Sequence, residues 1–273
     1  MSGTCDTRFP ILLIHGTGVR DWRRVGYWGR IPDALRDRGA RVFHGGQDSW
    51  ATVEANAAAL KERVQAVLAE TGSGKVHLIA HSKGGLEARY LVSSLGMAPY
   101  VASVTTISTP HHGSKTMDVL YRLPHGLFRL GGFFVDLWYR LLGDRDPDFF
   151  AVCGQFTTAW AEAFNRANPD AEGVLYRTYG GVMAGPASDL LMAWQHFVVR
   201  RVEGDNDGLV SLASAQWTGF RGPWRGVGRR GISHLDEVDL RRRPLWGRPQ
   251  ADGISDVVVE YVAMVAELKE LGL

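Results

Sequence analysis

The chain has only two cysteines, Cys5 and Cys153, in 273 residues. That count excludes a disulfide-stapled scaffold and a multi-cysteine metal cluster. Cys5 falls in an expected loose terminus and Cys153 far along the chain, so two free thiols are expected, a disulfide between them being the other reading. No apolar run approaches the ~20 residues of a membrane-spanning helix. The start, M-S-G-T-C-D-T-R-F-P, lacks a charged segment followed by an apolar one, so no signal peptide is visible. This points to a cytoplasmic protein, or to a secreted one read from its mature end. Net charge is only +2, which argues against nucleic acid as a partner. There is no internal repeat and no low-complexity segment. Hydrophobic residues reach 45%, enough for a full core in one domain spanning 1–273.

The most informative segment is V-H-L-I-A-H-S-K-G-G-L-E-A-R, Val76 to Arg89. An apolar strand ends at His81-Ser82-Lys83, and a helical pattern follows Gly84-Gly85. A serine at the apex of a strand–turn–helix is a nucleophile elbow, with its hydroxyl raised above the sheet and the helix N-terminus beside it. Ala80 stands where the usual signature has its first glycine. Upstream, P-I-L-L-I-H-G-T-G from Pro10 runs a buried strand into a loop. An oxyanion hole needs a donor from such a neighbouring strand end, which makes the Thr17 amide one candidate and the Lys83 amide the other. Downstream come Asp205-Asn206-Asp207-Gly208 and His234. A serine needs a base to become nucleophilic, and the base needs an acid to fix its tautomer. Ser82, Asp207 and His234 supply all three, and Asp205 would be a turn acceptor. His15 and His81 are expected to support the backbone and not to do chemistry. His111 and His112 are adjacent, so their side chains diverge on an extended chain and do not make a metal pair.

Strand candidates Ile11–Ile14, Arg41–Phe43, Val76–Ala80, Val101–Ile107 and Val174–Tyr179 alternate with helical patterns. The helices are expected from Val53 to a stop at Gly72, over Lys83–Leu95, and over Ser255–Leu271 with Ser255 as N-cap. This predicts an α/β fold, a mostly parallel sheet with helices on both faces. Arg221–Gly231 is expected as a loop or short hairpin, and Arg241–Arg243 as a solvated face. The stretch 114–154 is richer in Leu, Phe, Trp and Tyr than one surface helix requires. Its position after the strand following the elbow favours a helical cap or lid; an inserted helical pair packed as ordinary core is the other reading.

These stretches, with Y-W-G-R-I-P-D-A-L-R-D-R-G-A-R-V-F from Tyr27, S-V-T-T-I-S-T-P-H-H-G-S from Ser103, N-D-G-L-V from Asn206 and H-L-D-E-V from His234, resemble the bacterial triacylglycerol lipases of Pseudomonas/Burkholderia type. Some of them resemble the Gram-positive thermophilic lipases. The resemblance implies the α/β-hydrolase fold, an ester or lipid substrate, transient contact with a lipid surface through the lid, and Ser82, Asp207 and His234 as nucleophile, acid and base. It further implies a structural calcium ion that pins the histidine loop. Asp236 matches one carboxylate ligand by motif, Asp189 the other by position, and the carbonyls fall at Leu240 and Pro244 by spacing. No zinc ligand set and no organic cofactor are expected. A short-chain carboxylesterase, or a catalytically silent binding protein on the same fold, remain open alternatives.

Overall fold

A computed structural model describes residues 3–19, 26–122, 125–227, 230–242, 244–245 and 253–273. In chain order the elements are β1 (Ile11–Ile14), α1 (Ile31–Arg36), β2 (Val42–His44), α2 (Val53–Thr71), β3 (Val76–His81), α3 (Lys83–Ser93), β4 (Val101–Ile107), α4 (Lys115–Tyr121), α5 (His125–Leu141), α6 (Phe149–Gln155), α7 (Thr158–Ala167), β5 (Leu175–Val182), α8 (Ala193–Glu203), α9 (Leu212–Ala215), β6 (Phe220–Arg225) and α10 (Val257–Glu270). The strands form one parallel sheet, ordered β2-β1-β3-β4-β5-β6.

Every residue of β1, β3 and β4 is buried. Continuous burial is what a strand covered on both faces requires. Alternation then splits the side chains. Ile11 and Leu13 join Trp28, Ile31, Leu35, Tyr261 and Val265 on the face covered by α1 and α10. Leu12 and Ile14 join Ala57, Leu60, Val64, Leu78 and Leu91 on the face covered by α2 and α3. From β1 the chain steps one way to β2 and the other way to β3. The crevice at such a reversal, beyond the C-terminal strand ends, is where open α/β sheets place ligands. His15-Gly16-Thr17 and Ser82 leave β1 and β3 at those ends.

α2 begins and ends as expected: Thr52 Oγ1 accepts from the Ala55 amide at 3.3 Å, and Gly72 caps the end at φ +64°. The closing helix is capped by Asp256, not Ser255; its carboxylate accepts from the Val258 amide. Phe220–Arg225, expected as a loop or hairpin, is a sixth parallel strand. Gly222 and Pro223 hid it, and its edge position is where a sheet tolerates proline. Cys5 is fully buried, with its thiol 3.7 Å from the Val262 carbonyl oxygen, so the expected loose terminus is pinned there. Both cysteines are free. The stretch 114–154 folds as three helices, α4, α5 and most of α6.

Candidate active site

β3 passes into α3 with no connecting loop, and one residue takes up the whole change of direction. Ser82 sits at φ +55°, ψ −130°, a conformation costing a non-glycine residue about 1–3 kcal/mol. It is held there from both sides. The Ser82 amide donates to the Ile107 carbonyl at 2.9 Å, and the Ser82 carbonyl accepts from Thr109 Oγ1 at 2.8 Å. Gly84 lies against the carbonyl oxygens of Ile14 and His15, and Gly85 against the Thr109 side chain, so neither site has room for a Cβ. Ala80, in the place of the usual first glycine, is fully buried.

Gly16 brings the β1 loop against the elbow. A Cβ there would lie 2.7 Å from Ser82 Cβ. Behind the loop, His15 Nδ1 is 2.7 Å from the Gly16 carbonyl oxygen and Nε2 is 3.1 Å from that of Gln47. Gln47 Nε2 donates to the His15 carbonyl at 2.9 Å and to Glu87 at 3.2 Å. Glu87 also pairs with Lys83 Nζ at 2.8 Å and accepts from Asn56 at 2.7 Å, all of it buried. The Lys83 side chain therefore points into this scaffold, and its amide begins α3 beside Ser82. His15 has the supporting place expected of it. The Lys83–Glu87 pair, four residues apart on α3, was missed, although its spacing was visible.

The turn after α8 carries the acid. Asp207 Oδ1 accepts from the Leu209 and Val210 amides at 2.9 and 2.8 Å, leaving Oδ2 2.6 Å from His234 Nδ1. The His234 amide donates to the Asp207 carbonyl at 2.8 Å, which fixes the two loops together. Burial opposes charge on Asp207, but His234 and the two amides together hold its carboxyl below the usual range. Asp205 faces outward instead, paired with Arg200 and Arg225.

A second acid, not singled out from the sequence, lies underneath. Glu237 is fully buried, with Oε2 2.8 Å from His81 Nε2 and Oε1 accepting from Ser108 Oγ at 2.7 Å. Burial, and then the Asp207 charge, push its carboxyl well above the ordinary value. Burial, and then His234, push His81 well below its own. Burial thus favours the uncharged forms of both partners across this 2.8 Å contact. His81 Nδ1 lies 2.6 Å from the Tyr27 hydroxyl, and the His81 and His234 rings are 4.3 Å apart. His81, His234 and Glu237 bring their ligand-type atoms within 4.8 Å of one another. Each is already engaged in the hydrogen bonds just described. His111 and His112 lie in a turn and not on an extended chain, and both rings are 5.5 Å from that of Trp217; His111 bonds Thr106 and Arg89, and His112 the Gln216 carbonyl.

Asp189 and Asp236 meet next to His234, both against Ser233 Oγ. Leu240 is half-buried on the core and Pro244 is exposed. Arg241, expected on a solvated face, instead ion-pairs with both aspartates; their place some fifty and five residues away in the chain explains why composition did not reveal it. Arg242 is exposed, and Arg243 lies outside the described residues.

Ser82 and Thr17 open onto a cavity of about 540 Å³ whose walls are chiefly apolar, including Trp50, Met117, Leu120, Phe128, Phe149, Trp194 and Leu209. A strained serine, a buried Asp–His pair and an apolar cavity suit acyl transfer to or from a hydrophobic ester.

The α/β-hydrolase fold family model matches residues 10–217. A triacylglycerol lipase of Pseudarthrobacter phenanthrenivorans is 31% identical over 269 residues, covering 77% of this chain and 83% of that protein. One from Burkholderia plantarii is also 31% identical, covering 77% of this chain and 74% of its own length. The chain belongs to the bacterial lipases of the α/β-hydrolase superfamily. It is a serine ester hydrolase. The crystal structure of a Bacillus licheniformis lipase in mature form superposes on this hydrolase with a TM-score of 0.64 at 20% identity, covering 85% of this chain and 87% of that one, which speaks to the fold. No helix among the hydrolase's described residues is long and apolar enough to cross a membrane.

Proposed function

We propose that this hydrolase is a triacylglycerol lipase working through an acyl-enzyme. The observation that carries the mechanism is the 2.6 Å contact of Asp207 with His234, made beside an elbow whose serine opens onto an apolar cavity. In this reading His234 Nε2 removes the Ser82 proton as Oγ attacks the ester carbonyl. Asp207 keeps the Nδ1 proton in place and stabilises the imidazolium. The Thr17 and Lys83 amides receive the oxyanion. His234 then protonates the departing alkoxide, and the same imidazole activates water against the acyl-enzyme.

The lipid part of the proposal is supported by α4–α6. Phe128 and Leu120 line the cavity, while Phe133, Phe134, Trp138 and Leu141 of α5 are 58–74% exposed. An apolar helix with one side on the cavity and the other on solvent suits a lid that meets a lipid surface. Each methylene of an acyl chain buried here contributes about 0.8 kcal/mol, so chain length is a strong selector.

The test is a chain-length series of p-nitrophenyl esters plus emulsified triglyceride, with wild type and Ser82→Ala. Long chains and emulsion cleaved by wild type alone support the lipase. Turnover of short soluble esters only, lost in the variant, makes it a carboxylesterase. Equal turnover by both proteins overturns the nucleophile.

A further inference from the structure

The loop that carries His234 is fastened to the rest of the molecule through two buried carboxylates, and the cations on them belong to the chain. Asp189 and Asp236 are 2% and 4% exposed. Ser233 Oγ bridges them, 2.6 Å from Asp189 Oδ2 and 3.0 Å from Asp236 Oδ2, and its amide donates to Asp236 Oδ2 at 3.2 Å. The Arg241 guanidinium spans the other side, with Nη2 on Asp189 Oδ1 and Nη1 3.3 Å from Asp236 Oδ1. Arg230 Nη2 adds a contact to Asp236 Oδ1 at 2.9 Å, and the Leu191 amide donates to Asp189 Oδ1 at 3.0 Å. All four carboxylate oxygens therefore face hydrogen-bond donors.

That donor set does not suit the calcium ion implied by the family resemblance. Calcium needs oxygens turned toward a shared centre at about 2.3–2.6 Å, whereas these are turned toward N–H and O–H groups. Charge leads to the same answer. Two carboxylates and two guanidinium groups already sum to zero, and a divalent ion added among them would leave an excess of two positive charges beside the buried carboxylates. A guanidinium is also the cation shaped to hold two carboxylates at once, through its planar fork.

We propose that Arg241, assisted by Arg230, is the built-in cation that clamps Asp189 to Asp236, so that the His234 loop is held without a divalent metal. Breaking the clamp leaves buried carboxylates unpaired, which is costly.

Thermal unfolding and metal analysis of the purified full chain test this, and neither readout depends on ester turnover, so they stand or fall apart from the lipase reading. Wild type is expected to carry no stoichiometric calcium and to unfold at one temperature in EGTA and in millimolar CaCl₂. Arg241→Gln is expected to lower Tm by about 5 °C or more, with Arg241→Lys recovering part of it. In Arg241→Gln with Arg230→Gln, the freed carboxylates are expected to accept calcium, so CaCl₂ raises the Tm of this variant alone. A wild-type Tm that falls in EGTA overturns the proposal, as does retained calcium or an Arg241→Gln protein that unfolds with wild type.

Discussion

Below Ser82, polar groups are buried and matched to one another: Asp207 to His234, Glu237 to His81 and Ser108, Glu87 to Lys83, Asn56 and Gln47. Around the cavity mouth the chemistry is reversed. α5 carries exposed phenylalanine, tryptophan and leucine; among its described residues Tyr139 Oη donates to the Gly18 carbonyl at 2.6 Å, and Asp136 accepts from the Phe149 amide. Buried polar networks are expensive when half satisfied, so a complete one tolerates few alternative arrangements. Apolar contacts are non-directional and tolerate many. The floor therefore favours one geometry, and the mouth suits the partner-exchanging lid proposed above.

The largest expected effect breaks the floor. Asp207→Asn removes the charge that fixes the His234 tautomer and is expected to lower kcat on a soluble ester by about 10²–10⁴. Loss of less than tenfold would mean another group orients His234.

Acid acts on the interior of the sheet through its buried imidazoles. Burial, and then Arg177, bring His77 down to about 4; burial also pushes His81 and His111 well below their ordinary value. Between pH 6.5 and 4 the unfolded chain takes up protons at these sites that the folded chain refuses, so stability is full above 6.5 and falls as pH drops. His77 alone accounts for about 3 kcal/mol across that window. Glu237 acts in the opposite sense from about pH 4.5 upward, because its raised value makes the folded state the better proton binder. Three imidazoles outweigh one carboxyl, so urea midpoints should be lower at pH 5 than at pH 7. Equal midpoints would contradict the neutral imidazoles.

The mouth should respond to a different assay. Phe133→Ser with Trp138→Ser is expected to reduce emulsion turnover about tenfold while leaving soluble short esters nearly unchanged, since only the exposed apolar face is altered. Parallel losses on both substrates would make α5 part of the folded core instead. The smallest change is expected for Glu237→Gln. An amide can still donate to His81 Nε2 and accept from Ser108, so kcat should stay within about threefold. A drop comparable to Asp207→Asn would erase the distinction between the charged and the neutral acid.

The legible parts of the site were local ones. Strand, serine and glycines are contiguous around Ser82, and the D-N-D-G turn announces its own hydrogen bonds. Glu237 was overlooked because it follows Asp236, and nothing in H-L-D-E says which acid is buried; its place three residues after His234 was the available signal. Arg241 looked solvated because Asp189 is remote in the chain. Cys5 looked loose because α10, which covers it, arrives at the other end. β6 stayed hidden because an edge strand with glycine and proline carries neither alternation nor an apolar run.

Two carboxylates set how α5 is hung. Just past its C-terminus the chain turns at Gly143, φ +103°, and Asp144 accepts from the Ser49 and Trp50 amides at 3.1 and 2.9 Å. The next two amides, of Arg145 and Asp146, donate to Asp48. The helix is thus bolted at one end to the loop following β2. From that bolt, the seventeen residues of α5 extend about 25 Å. In the lid reading proposed above, this tied end is the one that stays in place, and any travel belongs to the end of α5 remote from Gly143.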